Sequence, residues 1–224
     1  MPFDQSLDAV QLQHGPRKAV STRGGSWVFW ICKRLFDISL SLVLLVVTAL
    51  LSVALLALNP FFNRGPLFFV QDRMGRNCEP FRAIKFRSMT AIPLDEKTDT
   101  RGAADPLETG RITPLGKILR KSRIDELPQV INVLRGDMSL IGPRPDALEH
   151  ATEYLREIAS YRDRHQVRPG ISGLAQVTLG YAMGYPQTRA KSSVDMIYIR
   201  EAGFGMEARV FWLTLVTVFL RRGA

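Results

Sequence analysis

From Ile38 to Leu58 the chain reads ISLSLVLLVVTALLSVALLAL, 21 residues without a charge. No charged side chain stands between Asp37 and Arg64. As an α-helix the run is about 30 Å long, the thickness of a bilayer's hydrocarbon core. A run of this length without a polar face does not suit the interior of a 25.2 kDa chain. It also exceeds the apolar part of a cleavable signal peptide, and polar or mixed sequence precedes it, so a retained membrane helix is predicted. Lys33 and Arg34 stand before it, and Arg64, Arg73, Arg76, Arg82, Lys85 and Arg87 after it. With both flanks positive, the positive-inside rule gives no orientation. Two topologies stay open: a simple span, and a helix that enters one leaflet, bends and returns. Asp37 lies one turn from Lys33, a pairing worth about 0.2–0.5 kcal/mol, and is expected at the head-group rim, orienting the helix rather than reacting.

The rest of the pattern predicts an α/β fold, mostly helical with short strands, as one membrane-associated domain with interfacial amphipathic helices. Residues 1–26 lack periodicity and read as a mobile extension, 27–64 as the membrane element, and 65–224 as the catalytic or binding domain. Leu67 to Val70 is a short strand or buried segment. Phe81 to Met89 alternates, with Ile84 and Phe86 on one side and Lys85 and Arg87 on the other, as in a strand presenting two cations. Ala91 to Gly110 is polar and rich in turn residues and reads as a long loop. Leu115 to Leu119 and Arg123 to Leu134 read as helices, the second carrying Ile124, Leu127, Ile131 and Leu134 on one stripe, with Gly136 at its C-cap. Leu148 to Arg164 is a charged amphipathic helix expected on the surface. Ala208 to Leu220 is too short to span and is expected as a core or interfacial helix.

The formal charge of +9 points to a polyanionic partner: nucleic acid, anionic head groups or phosphorylated small molecules. Cys32 and Cys78 form no CxxC pair, and His14, His150 and His165 lack ligand spacing, which favours a reducing compartment and argues against zinc. A metal here would be a hard ion on carboxylates and phosphate oxygens, magnesium or manganese.

One segment, SRIDELPQ from Ser122 to Gln129, places adjacent carboxylates behind Arg120, Lys121 and Arg123. Ser122 and Asp125 have the spacing of a capping box, with Pro128 near the first turn. The alternative is chemistry on a phosphate. On an α-helix Asp125 and Glu126 would point about 100° apart, so they cannot share one role by symmetry. Further on, Arg144 lies between Pro143 and Pro145. Each proline narrows the backbone before it, so this guanidinium is presented from a stiffened loop and suits a bidentate phosphate contact.

The blocks KRLFD, GPLFFVQDRMG, FRAIKFRSM, RITPLGKILRKSRIDELPQVINVLRGDMSLIGPRP, VRPGISGLAQV and DMIYI occur in an order and spacing that resembles the bacterial sugar transferases, the monotopic polyprenyl-phosphate phosphoglycosyl transferases. The chain is similar to the compact, exopolysaccharide-initiating galactosyl-phosphate transferases. The resemblance runs from Lys33 to Leu220. It implies transfer of a sugar-1-phosphate from a UDP-sugar to polyprenyl phosphate with release of UMP, supported by Mg²⁺, at the cytoplasmic face of a bacterial inner membrane among its lipids. It also implies that Asp125 is the nucleophile, forming an aspartyl phospho-sugar, and that Glu126 supports the metal or positions the dyad, the pair being the expected metal ligands. Attack of a carboxylate on a pyrophosphate requires neutralising cations. Lys85, Arg87, Arg120, Arg144 and Arg168 are the candidates, and the resemblance favours Arg120 and Arg144 as phosphate contacts.

Three positions depart from the family pattern. The Ser-Pro that commonly breaks the membrane helix falls on Ala49-Leu50, so a bend would have to come from Thr48, Ser52 or packing. Cys78 stands where glycine is common, and Met206-Glu207 where the C-terminal segment usually carries Asp. Two rival functions are a membrane-bound nucleotide-sugar hydrolase and a membrane-tethered nucleic-acid-binding protein. The second has only the charge in its favour, so no nucleic-acid partner is expected. Neither the sugar nor the oligomeric state can be read from the sequence, and homo-oligomerisation stays open.

Overall fold

The computed structural model describes residues 25–63, 65–90, 111–179 and 185–219. The expected N-terminal extension up to residue 24, the loop at 91–110, Arg64 and the residues from Leu220 onward lie outside the described residues.

Helix α1, Trp27–Phe62, is continuous over 36 residues, capped by Ser26 Oγ accepting from the Phe29 amide at 3.2 Å. Its buried positions, Phe29, Lys33, Asp37, Ser41, Thr48, Leu55 and Asn59, form a single stripe, and the other faces expose Val43, Val46, Leu50, Val53 and Leu56. Thr48 and Ser52 donate to the carbonyls four residues back, both at 2.7 Å, the kind of back-bonding that bends helices.

Both ends of α1 are fastened to the same body. At the N-terminal end, Arg34 donates to the carbonyls of Val133 and Leu134, and Asp37 accepts from Ser139 Oγ at 2.7 Å and the Leu140 amide at 3.2 Å. At the other end Leu55 packs with Phe86 and Leu119, and Asn63 Nδ2 donates to the Arg87 carbonyl at 2.7 Å. A spanning helix would put these ends on opposite sides of about 30 Å of hydrocarbon. Charged Arg34 and Arg87 could not be placed across that layer, so the helix is monotopic. Asp37, expected at an exposed rim, is instead 3% exposed and holds the helix to the body.

Strands β1 (Phe68–Met74) and β2 (Pro80–Phe86) form an antiparallel hairpin with Phe68 opposite Phe86. At its tip Asn77 (φ 58°) and Cys78 (φ 64°) are both left-handed. A glycine is at ease in that region, which accounts physically for the residue common at position 78. Helix α2 (Pro114–Lys121) starts with Thr113 Oγ1 accepting from the Gly116 amide at 2.9 Å.

The expected helix from Arg123 to Leu134 is two pieces. Ser122 ends α2, its hydroxyl donating to the Ile118 carbonyl at 2.8 Å, and Arg123 is left-handed at φ 59°. Ile124–Gln129 then forms a 3-10 helix containing Pro128, and α3 (Val130–Arg135) follows, closed by Gly136 at φ 96°. Ser122 therefore does not cap Asp125, and the capping-box reading fails.

Strands β3 (Ser139–Ile141) and β4 (Gly170–Ser172) pair in parallel. Helix α4 covers Leu148–Glu157 and stops there; Tyr161–Gln166 is a 3-10 helix with Arg164 and His165 buried, not the tail of a surface helix. Helices α5 (Leu174–Leu179), α6 (Tyr185–Arg200) and α7 (Phe204–Phe219) follow. One core joins Ile141, Leu174, Tyr198, Ile199 and Val210, and another joins Met74, Cys78, Leu155 and Tyr161. Helix α7 meets the start of α1 through Phe29–Phe204 and Phe36–Phe211 edge contacts and leaves Phe204 and Trp212 exposed, as an interfacial helix would. Glu207, at a departure from the family pattern, accepts from Lys33 at 2.7 Å and from the Tyr198 hydroxyl, while Met206 fills the core.

Candidate active site

The 3-10 geometry of Ile124–Gln129 turns about 120° per residue, so Asp125 and Glu126 face different surroundings. Glu126 turns to β2 and to the loop after β3. Lys85 Nζ donates to its Oε1 at 3.2 Å, and Arg144 grips it with both terminal nitrogens, Nη1 to Oε2 at 3.0 Å and Nη2 to Oε1. Burial opposes ionisation of Glu126, but the Arg144 and Lys85 charges overcome it and hold the carboxyl well below its usual range. Lys85, buried and crowded by Arg73 and Arg144, is lowered to about 8.

Asp125 is the reverse. It is 9% exposed, its Oδ1 is buried without a hydrogen-bond partner, and burial together with the neighbouring Glu126 charge raises it to about 6. A carboxylate that is desolvated, unbonded and more basic than usual is a competent nucleophile, because no donor must be stripped from it before it attacks.

The Pro143-Arg144-Pro145 loop is clamped carbonyl by carbonyl. The Pro143 oxygen accepts from the Gly170 amide at 2.9 Å, the Arg144 oxygen from Arg164 Nη2 at 2.7 Å, and the Pro145 oxygen from Arg73 Nη1. Gly170 has no room for a side chain, since a Cβ there would lie 2.1 Å from the Gly142 amide nitrogen. The backbone of Arg144 is thereby fixed before any substrate arrives.

Arg164 is 3% exposed and is anchored by Asp195 at 2.9 and 2.8 Å and by Asp146, which also accepts from the Tyr161 hydroxyl at 2.6 Å. Sequence reasoning missed this cluster. Its one local signal was Tyr161 preceding Arg164 by three residues in a segment read as surface.

Of the five expected phosphate-binding cations, Lys85 and Arg144 meet at Glu126. Arg120 is exposed, with Nη1 3.1 Å from Met89 Sδ, and its charge favours ionised Asp125. Arg87 lies past the end of β2 and donates to the Asn63 carbonyl, tying down the end of α1. Arg168 donates through Nε to the Gly136 carbonyl at 2.8 Å and lines a separate cavity. Arg87 and Arg168 thus stand apart from the carboxylate pair.

The metal expectation divides in the same way. Both Glu126 oxygens are engaged by cations, so Glu126 does not suit a ligand, whereas the unpartnered Asp125 Oδ1 does. Among the described residues no three His, Cys, Asp or Glu side chains gather. One carboxylate with substrate phosphate oxygens is a usual Mg²⁺ arrangement.

Residues 28–221 match the family model described as bacterial sugar transferase. The UDP-N-acetylgalactosamine-undecaprenyl-phosphate N-acetylgalactosaminephosphotransferase of Aeromonas hydrophila is 37% identical over 216 residues, covering 96% of this chain and 50% of that protein. The UDP-glucose:undecaprenyl-phosphate glucose-1-phosphate transferase of Klebsiella pneumoniae is 36% identical over 197 residues, 87% of this chain and 41% of that protein. The exopolysaccharide production protein PSS of Rhizobium leguminosarum bv. phaseoli is 37% identical over 199 residues, 85% of this chain and 96% of that protein. The chain spans half or less of the first two relatives and nearly all of the third.

Proposed function

The chain belongs to the bacterial sugar transferase family, as a monotopic membrane protein with its catalytic body on the cytoplasmic face, and we propose that it moves a sugar-1-phosphate from a UDP-sugar to polyprenyl phosphate through Asp125. An Asp125 oxygen attacks the sugar-bearing phosphorus of the donor. The bond from that phosphorus to the bridging oxygen breaks, and UMP leaves with the electron pair. A phosphate oxygen of the polyprenyl phosphate then attacks the same phosphorus, restoring the Asp125 carboxylate and giving a polyprenyl diphosphate sugar. Glu126 keeps Lys85 and Arg144 beside the donor phosphates, and Arg120 lies on the open side for the departing charge. Mg²⁺, when bound, would be held by Asp125 with donor phosphate oxygens and supplies further charge neutralisation.

The unpartnered, raised carboxylate of Asp125 next to a fully engaged Glu126 carries this reading. The two transferase relatives act on different sugars, so the donor is left as a UDP-sugar. The test is a panel of labelled UDP-sugars, with Mg²⁺ and without lipid acceptor, followed by acid quench and peptide mapping. A sugar-phosphate adduct on the Asp125 peptide, discharged by adding polyprenyl phosphate, is expected. UMP release at full rate without acceptor would instead indicate hydrolysis, and a wild-type adduct in Asp125→Asn would remove the nucleophile.

A further inference from the structure

A second cluster of cations lies away from the carboxylate pair, where the first turns of α1 meet the β3–β4 pair. It lines a cavity of about 510 Å³, with Lys33, Arg34, Arg76 and Arg168 against a single carboxylate, Asp37. None of Lys85, Asp125, Glu126 or Arg144 lines it. That volume is ample for a phosphate ester.

The guanidinium charges in this cavity are not paired with carboxylates of the described residues. Asp37 is engaged by the Ser139 hydroxyl, the Leu140 amide and, at 3.9 Å, Lys33, which also pairs with Glu207 at 2.7 Å. Arg34, Arg76 and Arg168 donate only to backbone carbonyls: Val133 and Leu134, Gln166, and Gly136. Among the described residues none of these three has a carboxylate within ion-pair distance. Arg76 and Arg168 use Nε for those bonds, leaving the terminal nitrogens, the edge that grips an oxyanion in two-point fashion. The guanidiniums also sense one another: burial and the Arg34 and Arg76 charges push Arg168 below its ordinary value. Like charges held together this way, with rigid carbonyls as their only partners, are stabilised by an incoming anion.

We propose that this cavity binds a phosphate ester, separately from the catalytic site, with Arg76 and Arg168 as its oxyanion contacts and Arg34 as a neighbouring positive charge. The proposal does not rest on the catalytic reading. Two sources supply the chemistry, an anionic phospholipid head group and a soluble phosphate. Position favours the head group: Trp30 lines the cavity, and Trp27, Ile31, Phe36 and Trp212 lie exposed on the adjoining α1 and α7. Exposed tryptophans of this kind sit at head-group depth.

The test uses the full chain in neutral detergent micelles, titrated with dihexanoyl phosphatidic acid or with inorganic phosphate and read by tryptophan fluorescence and thermal midpoint. Saturable binding is expected, weakened at least tenfold by Arg168→Gln and by Arg76→Gln but not by Lys117→Gln, a control of equal charge change on exposed α2. Because Arg76 is exposed, its replacement does not threaten folding. Phosphatidic acid binding at least tenfold tighter than inorganic phosphate identifies a head-group site, and comparable affinities identify a soluble phosphate site. Affinities of Arg76→Gln and Arg168→Gln that match Lys117→Gln would overturn the proposal.

Discussion

Among the described residues, the cation clusters at Glu126 and at Asp37 are wired in opposite ways. At the Glu126 cluster the carboxylate takes both cations, Lys85 and Arg144, and a second carboxylate, Asp125, stands beside them without a bond. At the Asp37 cluster Ser139, Leu140 and the more distant Lys33 occupy the carboxylate, and no guanidinium is paired with it. The same residue types therefore leave an unpartnered carboxylate in one place and guanidiniums without a carboxylate partner in the other. What separates them is which partner saturates the carboxylate.

The largest test of this contrast is Asp125→Asn. It should reduce transfer by more than about 10³-fold in a UMP-release assay while leaving the thermal midpoint near wild type, because Oδ1 makes no bond that folding needs. Glu126→Gln should lower the rate by about 10²-fold, through loosened Arg144 and Lys85. It should also destabilise the fold by about 3–5 kcal/mol, since it strips the counter-charge from buried cations. A Glu126→Gln protein with wild-type rate would remove the positioning role of that cluster.

Arg164→Met should destabilise by a similar amount, about 3–5 kcal/mol, by leaving Asp195 and Asp146 unpaired. It also frees the Arg144 carbonyl, so kcat should fall even at temperatures where the variant stays folded. The double variant Arg164→Met/Asp195→Asn should recover part of the stability, Asp146 still lacking its cation, without recovering kcat.

The effect smallest near neutral pH is a pH dependence at the other cluster's edge. His165 Nδ1 lies 3.1 Å from the carbonyl of Gly75, next to Arg76, and burial with the Arg164 charge lowers it to about 3. Its folded value is below the ordinary 6.5, so between pH 6.5 and about 3 only the unfolded chain takes up this proton. Stability from this group is full above pH 6.5 and is lost as the pH falls. His165→Asn should flatten the acid limb of the stability curve by up to about 1.4 kcal/mol per pH unit, measured by denaturant titration in micelles.

What could be read from the sequence was whatever depends on near neighbours. The alternation around Lys85 announced β2, and the uncharged run announced α1. The proline pair at Arg144 announced a stiff loop, although not the three donors that clamp it. The misreadings share a cause. Ser122 can start a helix or end one with the same hydroxyl, and only the left-handed Arg123 decides between them. Arg164 looked solvated because its partners, Asp146 and Asp195, lie 18 and 31 positions away. Asp37 looked like a rim residue because Ser139 is 102 positions distant. Arg168 carried no sign that it belonged with Arg34 and Arg76 rather than with Glu126.

An anchor gripped at both extremities by its own cargo behaves differently from a tether. A tethered enzyme hunts over a range of heights above the lipid surface; this one has its altitude set when it folds, by the clasps at Asp37 and Asn63. Any acceptor confined to the leaflet edge would then meet Asp125 at a constant depth, and bilayer thickness beyond that first leaflet would have no lever on the encounter.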